Sequence, residues 1–173
     1  MGIVYWRDPD ETLTRCDHMV PWGYCDANYT EDAQDQRLMS SYTFMLAGGP
    51  ISWKSKKQPS VSLSTTEAEY YALGIACQEA AWIRHIYQEI FKPLNNRVLI
   101  YTDNVGAVAL SENPVFHNQS KHIDIHWHYI RDLIRSKIIH SSHIPRIHNG
   151  TDFLTKALSH AEHERCAKFI GME

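Results

Sequence analysis

The hydrophobic pattern of the chain is first strand-like and then helix-like. Three short segments rich in apolar and aromatic side chains predict strands at Gly23–Tyr29, Ser41–Ala47 and Ile51–Lys57. Polar or glycine-containing turns separate these segments. Because short connections join antiparallel neighbours, we expect the three strands to form a meander.

A long amphipathic helix is predicted next, over Thr65–Phe91. Apolar residues recur there at spacings of three and four, Ser64 provides an N-cap and Pro93 follows the end. The remaining pattern predicts strands at Arg97–Thr102 and Lys137–Ile144, and helices at Val105–Ser111, Ile123–Ser136 and Thr151–Ile170. This order of elements indicates an α/β protein with a mixed sheet flanked by helices.

Composition narrows the class of protein. A chain of 173 residues with 43% hydrophobic positions builds one domain with a sizeable core, which excludes a disordered segment. Its net charge of −3 argues against a strongly basic nucleic-acid module, and no apolar run is long enough for a membrane span. None of the 4 cysteines forms a CxxC pair, so we expect reduced thiols in a cytoplasmic compartment.

Four acidic residues occupy positions that are typical of metal-binding or catalytic carboxylates. Asp26 lies inside the first predicted strand, Asp103 ends the fourth, and Glu67 and Asp152 begin helices. If the helices fold back on the sheet, these acids converge, and oxygen ligands suit Mg²⁺ or Mn²⁺ rather than zinc. Each acid also has a structural reading: a turn cap for the two strand residues, a capping box with Ser64 for Glu67, and a helix-dipole contact for Asp152.

A series of short blocks carries a resemblance to a known family. The blocks are Gly23-Tyr-Cys-Asp-Ala, Ile51-Ser-Trp-Lys-Ser-Lys-Lys-Gln-Pro, Leu63-Ser-Thr-Thr-Glu-Ala-Glu-Tyr, Tyr101-Thr-Asp-Asn, Asn113-Pro-Val-Phe-His, Ser120-Lys-His-Ile-Asp-Ile and Asp152-Phe-Leu-Thr-Lys. Together they resemble the ribonuclease H domain of copia-type (pseudovirus) LTR retrotransposon polyproteins. The resemblance assigns residues 23–173 to that domain and residues 1–22 to an extension from the reverse transcriptase connection.

The resemblance implies a fold, a reaction and a setting. The fold would be ribonuclease H-like, a five-stranded mixed sheet of order 3-2-1-4-5 flanked by helices. The activity would be metal-dependent endonucleolytic hydrolysis of the RNA strand of RNA–DNA hybrids during reverse transcription, leaving 5′-phosphate and 3′-hydroxyl ends. The implied partner is the reverse transcriptase domain of the same polyprotein, in a cytoplasmic virus-like particle.

The resemblance also implies roles for individual residues. Two Mg²⁺ or Mn²⁺ ions would be held by Asp26, Glu67, Asp103 and Asp152. His148, in the loop before the last of these, is a candidate for proton transfer or product release, with a plain loop residue as the alternative.

Substrate contacts are expected from polar and basic residues near the acids. Candidates for reading the 2′-hydroxyls of the hybrid are Asn28, Ser64, Thr65, Thr66 and Asn104. Lys54, Lys56 and Lys57, beside Trp53, would hold DNA phosphates, or would simply keep an edge strand soluble.

Two other function classes stay open on the sequence alone. The domain could be a catalytically weak or inactive ribonuclease H-like module that binds nucleic acid or has a structural role in the polyprotein. It could also be a zinc-dependent protein that uses His122, His126 and His128, two of which are four residues apart on a predicted helix. Because the net charge is negative, the isolated domain should bind hybrid weakly without the polymerase.

Overall fold

The computed structural model describes residues 2–3, 5, 20–29, 38–59, 62, 64–91, 93–112 and 121–172. The side chains of Tyr29 and of residues 121–127 lie outside the described part. The sequence block at 113–117 and the side chains of the candidate zinc ligands His122 and His126 therefore lie outside it as well.

The sheet has five strands, and β1 lies at its centre. The strands are β1 (Trp22–Tyr29), β2 (Leu38–Leu46), β3 (Gly49–Lys57), β4 (Val98–Thr102) and β5 (Ile139–His143). The strands follow the order β3-β2-β1-β4-β5. Pairing is antiparallel from β1 to β3 and parallel between β1 and β4 and between β4 and β5. The predicted mixed sheet and its strand order are confirmed.

Helix α1 covers the sheet and buries most of the core. It spans Thr65–Ile90, and the Ser64 hydroxyl accepts the Glu67 N–H at 3.1 Å, as expected for an N-cap. Its small residues allow a close approach to the sheet, where Leu73 packs in one cluster with Phe44 and Ile100. Helices α2 (Val105–Glu112) and α3 (Lys121–Arg135) follow. Over the part of the chain that is described, no helix is both long and apolar enough to cross a bilayer.

The prediction of one continuous helix over Thr151–Ile170 is wrong. Residues Asp152–Leu154 form a single 3-10 turn, and helix α4 begins only at His160 and ends at Phe169. A capping box explains the break: the Ser159 hydroxyl accepts the Glu162 N–H and the Glu162 carboxylate accepts the Ser159 N–H. The irregular stretch between the two elements brings Thr155 and Lys156 against the sheet.

Candidate active site

Asp26 and Asp103 lie side by side because their strands are parallel neighbours. Tyr24 of β1 is in register with Tyr101 of β4, and each acid lies two residues beyond its tyrosine. Asp26 is almost fully buried, whereas Asp103, just past the end of its strand, is half-buried. The two carboxylates predicted from strand positions therefore share one edge of the sheet.

The third carboxylate of the group is Glu69. Oxygens of Asp26, Glu69 and Asp103 all lie within 4.8 Å of one another. Glu69 belongs to the second turn of α1, is 8% exposed, and its Oε2 accepts the backbone N–H of Ala27 at 3.1 Å. That hydrogen bond attaches the helix to β1 beside Asp26.

The structure does not bring Glu67, the glutamate expected from the sequence, into this group. Residues two apart on an α-helix point about 200° away from each other, so only one of the two glutamates faces the sheet. Glu69 is buried, while Glu67 is half-exposed and is not a member of the three-carboxylate group. The signal was present in the sequence, because Glu69 precedes Ala72 by three residues and so belongs to the apolar stripe.

Burial and mutual repulsion raise the pKa values of all three acids. Burial, followed by the charges of Asp26 and Asp103, raises the pKa of Glu69 to about 9. Burial also raises the pKa of Asp26, although Lys156 and Thr155 act in the opposite direction, and it raises that of Asp103. Added positive charge would favour the ionised form of these carboxylates.

The donor set fits a divalent cation. The Oδ1 atom of Asp26 is buried and has no hydrogen-bond partner among the described residues. An uncompensated carboxylate oxygen beside two further carboxylates is the all-oxygen environment that Mg²⁺ and Mn²⁺ prefer. The residues present therefore suit the cations expected from the sequence.

Asp152 lies next to this group and is linked to it through Lys156. The Lys156 Nζ is 2.7 Å from Asp152 Oδ1 and 3.3 Å from Asp26 Oδ2. Asp26 Oδ2 also accepts a hydrogen bond from the Thr155 hydroxyl. On the outer side, Arg146 Nε lies 3.9 Å from Asp152 Oδ2. The structure thus brings all three predicted aspartates to one place and adds cationic residues that the sequence analysis missed.

Asn149 holds the segment that carries Asp152 against β1. Its Nδ2 donates to the Cys25 carbonyl at 3.1 Å, and its Oδ1 accepts from Thr151 N at 3.2 Å and Thr151 Oγ1 at 2.8 Å. Because Asn149 is 1% exposed, these bonds are shielded from water. The side chain fixes Asp152 relative to Asp26, a function that its position in the sequence did not indicate.

A surface cleft opens onto the acids. Its lining residues are Asp26, Ala27, Asn28, Leu38, Thr65, Ala68, Glu69, Asp103, Arg146 and Lys156. Of the predicted substrate-binding residues, Asn28 and Thr65 line this cleft. The exposed ring of His148 contacts Phe169 edge-to-face and is not among the lining residues.

The other predicted substrate contacts lie at helix starts. Ser64 caps α1, and Asn104 caps α2 by accepting the Ala107 N–H at 2.9 Å. The side chains of Asn104 and Thr66 both lie next to Gly106. An ideal Cβ built on that glycine would be 3.0 Å from each of them, so the two side chains are close together.

The three lysines of β3 are exposed on an edge strand. Successive side chains of a strand point to opposite faces, so Lys54 and Lys56 share one face and Lys57 takes the other with Trp53. Ser41 of β2 lies opposite Asp26, and Ser55 of β3 lies opposite Ser41. Ser55, which stands among the lysines, is therefore about two strand spacings, roughly 10 Å, from Asp26. Lys57 therefore shares the face of Ser55 and Asp26, whereas Lys54 and Lys56 point to the opposite face.

Relatives of the chain are retrotransposon polyproteins. It is 36% identical over 150 residues to the retrovirus-related Pol polyprotein from transposon TNT 1-94 of Nicotiana tabacum, which covers 87% of the chain. It is 39% identical over 149 residues to the corresponding polyprotein from transposon RE1 of Arabidopsis thaliana, which covers 86% of the chain. Its homologues are copia-type retrotransposon Pol polyproteins. The chain spans only 11% and 10% of the lengths of these two relatives.

Solved structures place the fold of this Pol homologue among the ribonucleases H. It matches LC11-RNase H1 in complex with an RNA/DNA hybrid with a TM-score of 0.57 and 15% identity, over 78% of this chain and 93% of that one. It matches the foamy viral protease-reverse transcriptase in complex with RNA/DNA hybrid with the same TM-score and identity, over 94% of this chain and 22% of that one. No protein-family model matches the chain. At this identity the structural matches show the ribonuclease H fold.

Proposed function

We propose that this Pol homologue is a ribonuclease H that hydrolyses the RNA strand of RNA–DNA hybrids during reverse transcription. The observation that carries the proposal is the convergence of Asp26, Glu69 and Asp103 within 4.8 Å at the cleft, with Asp152 beside them. Relatives that are retrotransposon Pol polyproteins, and structural neighbours solved with RNA/DNA hybrid, support the same reaction.

The four acids would hold two Mg²⁺ or Mn²⁺ ions. Asp26 shares one group with Glu69 and Asp103 and one ammonium with Asp152, so it would contribute to both ions. Paired divalent ions, when bound, stabilise the attacking and leaving oxygens of an in-line displacement, which leaves 5′-phosphate and 3′-hydroxyl ends. The protein supplies rigidity for this chemistry, through Asn149 on the loop and the Glu69–Ala27 hydrogen bond on the helix.

The cleft walls would position the hybrid. Arg146 is exposed at the rim beside Asp152, where its guanidinium would attract a phosphate. Asn28 and Thr65 offer neutral polar groups to the 2′-hydroxyls that distinguish RNA from DNA. Lys57, on the face of β3 that Asp26 shares, would add a phosphate contact farther from the acids.

The reverse transcriptase domain of the same polyprotein would deliver the substrate. With a net charge of −3, this domain would bind hybrid weakly alone, and tethering to a polymerase raises the local concentration of hybrid. Residues 1–22 would form the connection. Ile3 pairs with Met172, and the Tyr5 hydroxyl donates to the Pro50 carbonyl at 2.6 Å, so the described part of that connection contacts the domain.

The test uses the 173-residue chain with a labelled RNA–DNA hybrid, and with double-stranded RNA and double-stranded DNA as controls. We expect cleavage of the hybrid's RNA strand only, dependent on Mg²⁺ or Mn²⁺, stopped by EDTA and lost in Asp103→Asn. End-labelling distinguishes 5′-phosphate from 3′-phosphate products. Hybrid binding without cleavage under any cation would refute the proposal in favour of a non-catalytic module, and cleavage that survives EDTA would refute the role of the acids.

A further inference from the structure

The two sides of the acidic group differ in how well their charge is already balanced. On one side, oxygens of Asp26, Glu69 and Asp103 lie within 4.8 Å of one another, and Asp26 Oδ1 has no hydrogen-bond partner in the described structure. On the other side, the Lys156 ammonium lies between Asp26 Oδ2 and Asp152 Oδ1, at 3.3 Å and 2.7 Å. The ammonium therefore pairs directly with Asp26 and Asp152, whereas it only lowers the pKa values of Glu69 and Asp103 from beyond ion-pair distance.

Lys156 is held in this position by its surroundings. Its side chain is 12% exposed, compared with 1% for Asp26 and 8% for Asp152, so water screens these contacts only weakly. It lies four residues after Asp152, across the 3-10 turn Asp152–Leu154, and the Leu154 carbonyl accepts the Ser55 hydroxyl at 2.7 Å. The neighbouring Thr155 hydroxyl donates to Asp26. The segment is thus tied to β1 and β3, which holds the ammonium at the acids.

We propose that the Lys156 ammonium is an internal cation that takes the place of a second divalent ion between Asp26 and Asp152. This inference rests on the proposed function, since it concerns the cations of the same site. The first divalent ion binds the group of Asp26, Glu69 and Asp103, in which Glu69 and Asp103 have no ion pair among the described residues. The second ion binds only when Lys156 moves away from the two aspartates, and this competition makes the second step the weaker one.

The displaced Lys156 ammonium would move toward the surface of the cleft. Lys156 and Arg146 both line the cleft, so an ammonium displaced from the aspartates remains at the surface that receives the hybrid. The RNA phosphate would then provide a new anionic partner for it. Lys156 is in this sense a positioning residue, which links occupation of the second cation position to the presence of substrate.

The test compares Mn²⁺ binding to the unaltered chain and to Lys156→Met, by calorimetry and by electron paramagnetic resonance of free Mn²⁺. We expect one tighter and one weaker step in the unaltered chain. In Lys156→Met the second step should tighten by about tenfold, equivalent to about 1.4 kcal/mol, while the first step changes little. Lys156→Arg keeps the charge and should keep the second step weak, and Lys168→Met, an exposed lysine of α4, is the matched control.

A structural role for Lys156 predicts a different result. In that case Lys156→Met would lower the melting temperature with and without Mn²⁺ by the same amount and leave the second step unchanged, which would overturn the inference. Our inference predicts a larger Mn²⁺-induced rise in melting temperature for Lys156→Met than for the unaltered chain.

A measurement on the unaltered chain covers the case in which Lys156→Met does not fold. In a Mg²⁺ titration followed by NMR of the lysine side chains, the Lys156 signal should move mainly during the second binding step. A change completed in the first step, or none at all, would overturn the inference. Failure of the unaltered chain to bind any Mn²⁺ would instead contradict the proposed function, so the two failures are distinguishable.

Discussion

Replacement of Glu69 by glutamine separates the two glutamates that the sequence places at the start of α1. Glu69→Gln removes a buried carboxylate while preserving shape. Glu67→Gln makes the same chemical change two residues earlier, on a half-exposed position of the same helix. We expect the first substitution to weaken cation binding and to abolish hybrid cleavage, and the second to retain both.

The expected effect on stability follows from the pKa of Glu69. Its value rises from 4.5 to about 9, so at pH 7 the metal-free folded protein holds a proton that the unfolded chain does not. At pH 7, about 2.5 units above the ordinary pKa of glutamate, the unfolded chain is stabilised by ionising Glu69 and the folded protein is not. At about 1.4 kcal/mol per pH unit, this difference lowers the free energy of unfolding by about 3 kcal/mol. A neutral glutamine avoids this cost, so Glu69→Gln should raise the free energy of unfolding of the metal-free protein by about 2–3 kcal/mol.

Activity should change in the opposite direction. Metal ions provide several kcal/mol of transition-state stabilisation in such sites, so loss of one carboxylate ligand should reduce the cleavage rate by about 100-fold or more.

The assay combines urea denaturation in EDTA with hybrid cleavage in Mg²⁺, for both glutamine variants and the unaltered chain. A variant that is more stable without metal but inactive with it would show that Glu69 is kept for function at the expense of stability. Equal loss of cleavage in Glu67→Gln, or full activity in Glu69→Gln, would refute our assignment. A less stable Glu69→Gln protein would refute the electrostatic reasoning alone.

Three further predictions concern the support of the site. Asn149→Ala breaks buried hydrogen bonds and should cost about 2–3 kcal/mol in urea denaturation; it should also slow cleavage, because Asp152 loses its anchor. Gln58→Leu should cost a similar amount, since its buried amide donates to the Ala68 carbonyl at 3.0 Å; retained stability would show that another group compensates. Finally, between pH 5 and pH 8 the folded metal-free protein binds more protons than the unfolded chain, because the pKa of Glu69 is raised. Its free energy of unfolding should therefore fall as pH rises, which urea denaturation in EDTA at both pH values would measure, and the slope should flatten in Glu69→Gln.

Local patterns predicted most of the fold. The bounds of α1, Thr65–Ile90, differ from the prediction by one residue because its N-cap and its apolar period are both local. Strand β2 begins at Leu38, three residues earlier than predicted, since pairing with β1 extends it. The last helix was predicted as one element because the apolar pattern continues, but contacts of Thr155 with Asp26 favour an irregular segment there.

The candidate site was predicted in part for the same reason. Strand position indicated Asp26 and Asp103, and both belong to the observed group. The resemblance assigned the metal-binding role to Glu67, whereas the direction of the side chain on the helix places Glu69 in the group. Lys156 belongs to one of the blocks of the resemblance, but the sequence did not assign it a role, because its contacts are with residues 130 and 4 positions away along the chain.

By itself, the sequence determined the type and order of the elements, the capped start of α1, and the presence of acids at the ends of buried strands. These properties depend on neighbours within a few residues, so the hydrophobic period and the caps are enough to define them. Only the tertiary structure decided which glutamate joins the aspartates, and that an ammonium lies between two of them. Those outcomes depend on how a helix and a loop pack against β1, where burial makes each uncompensated charge costly and each pairing specific.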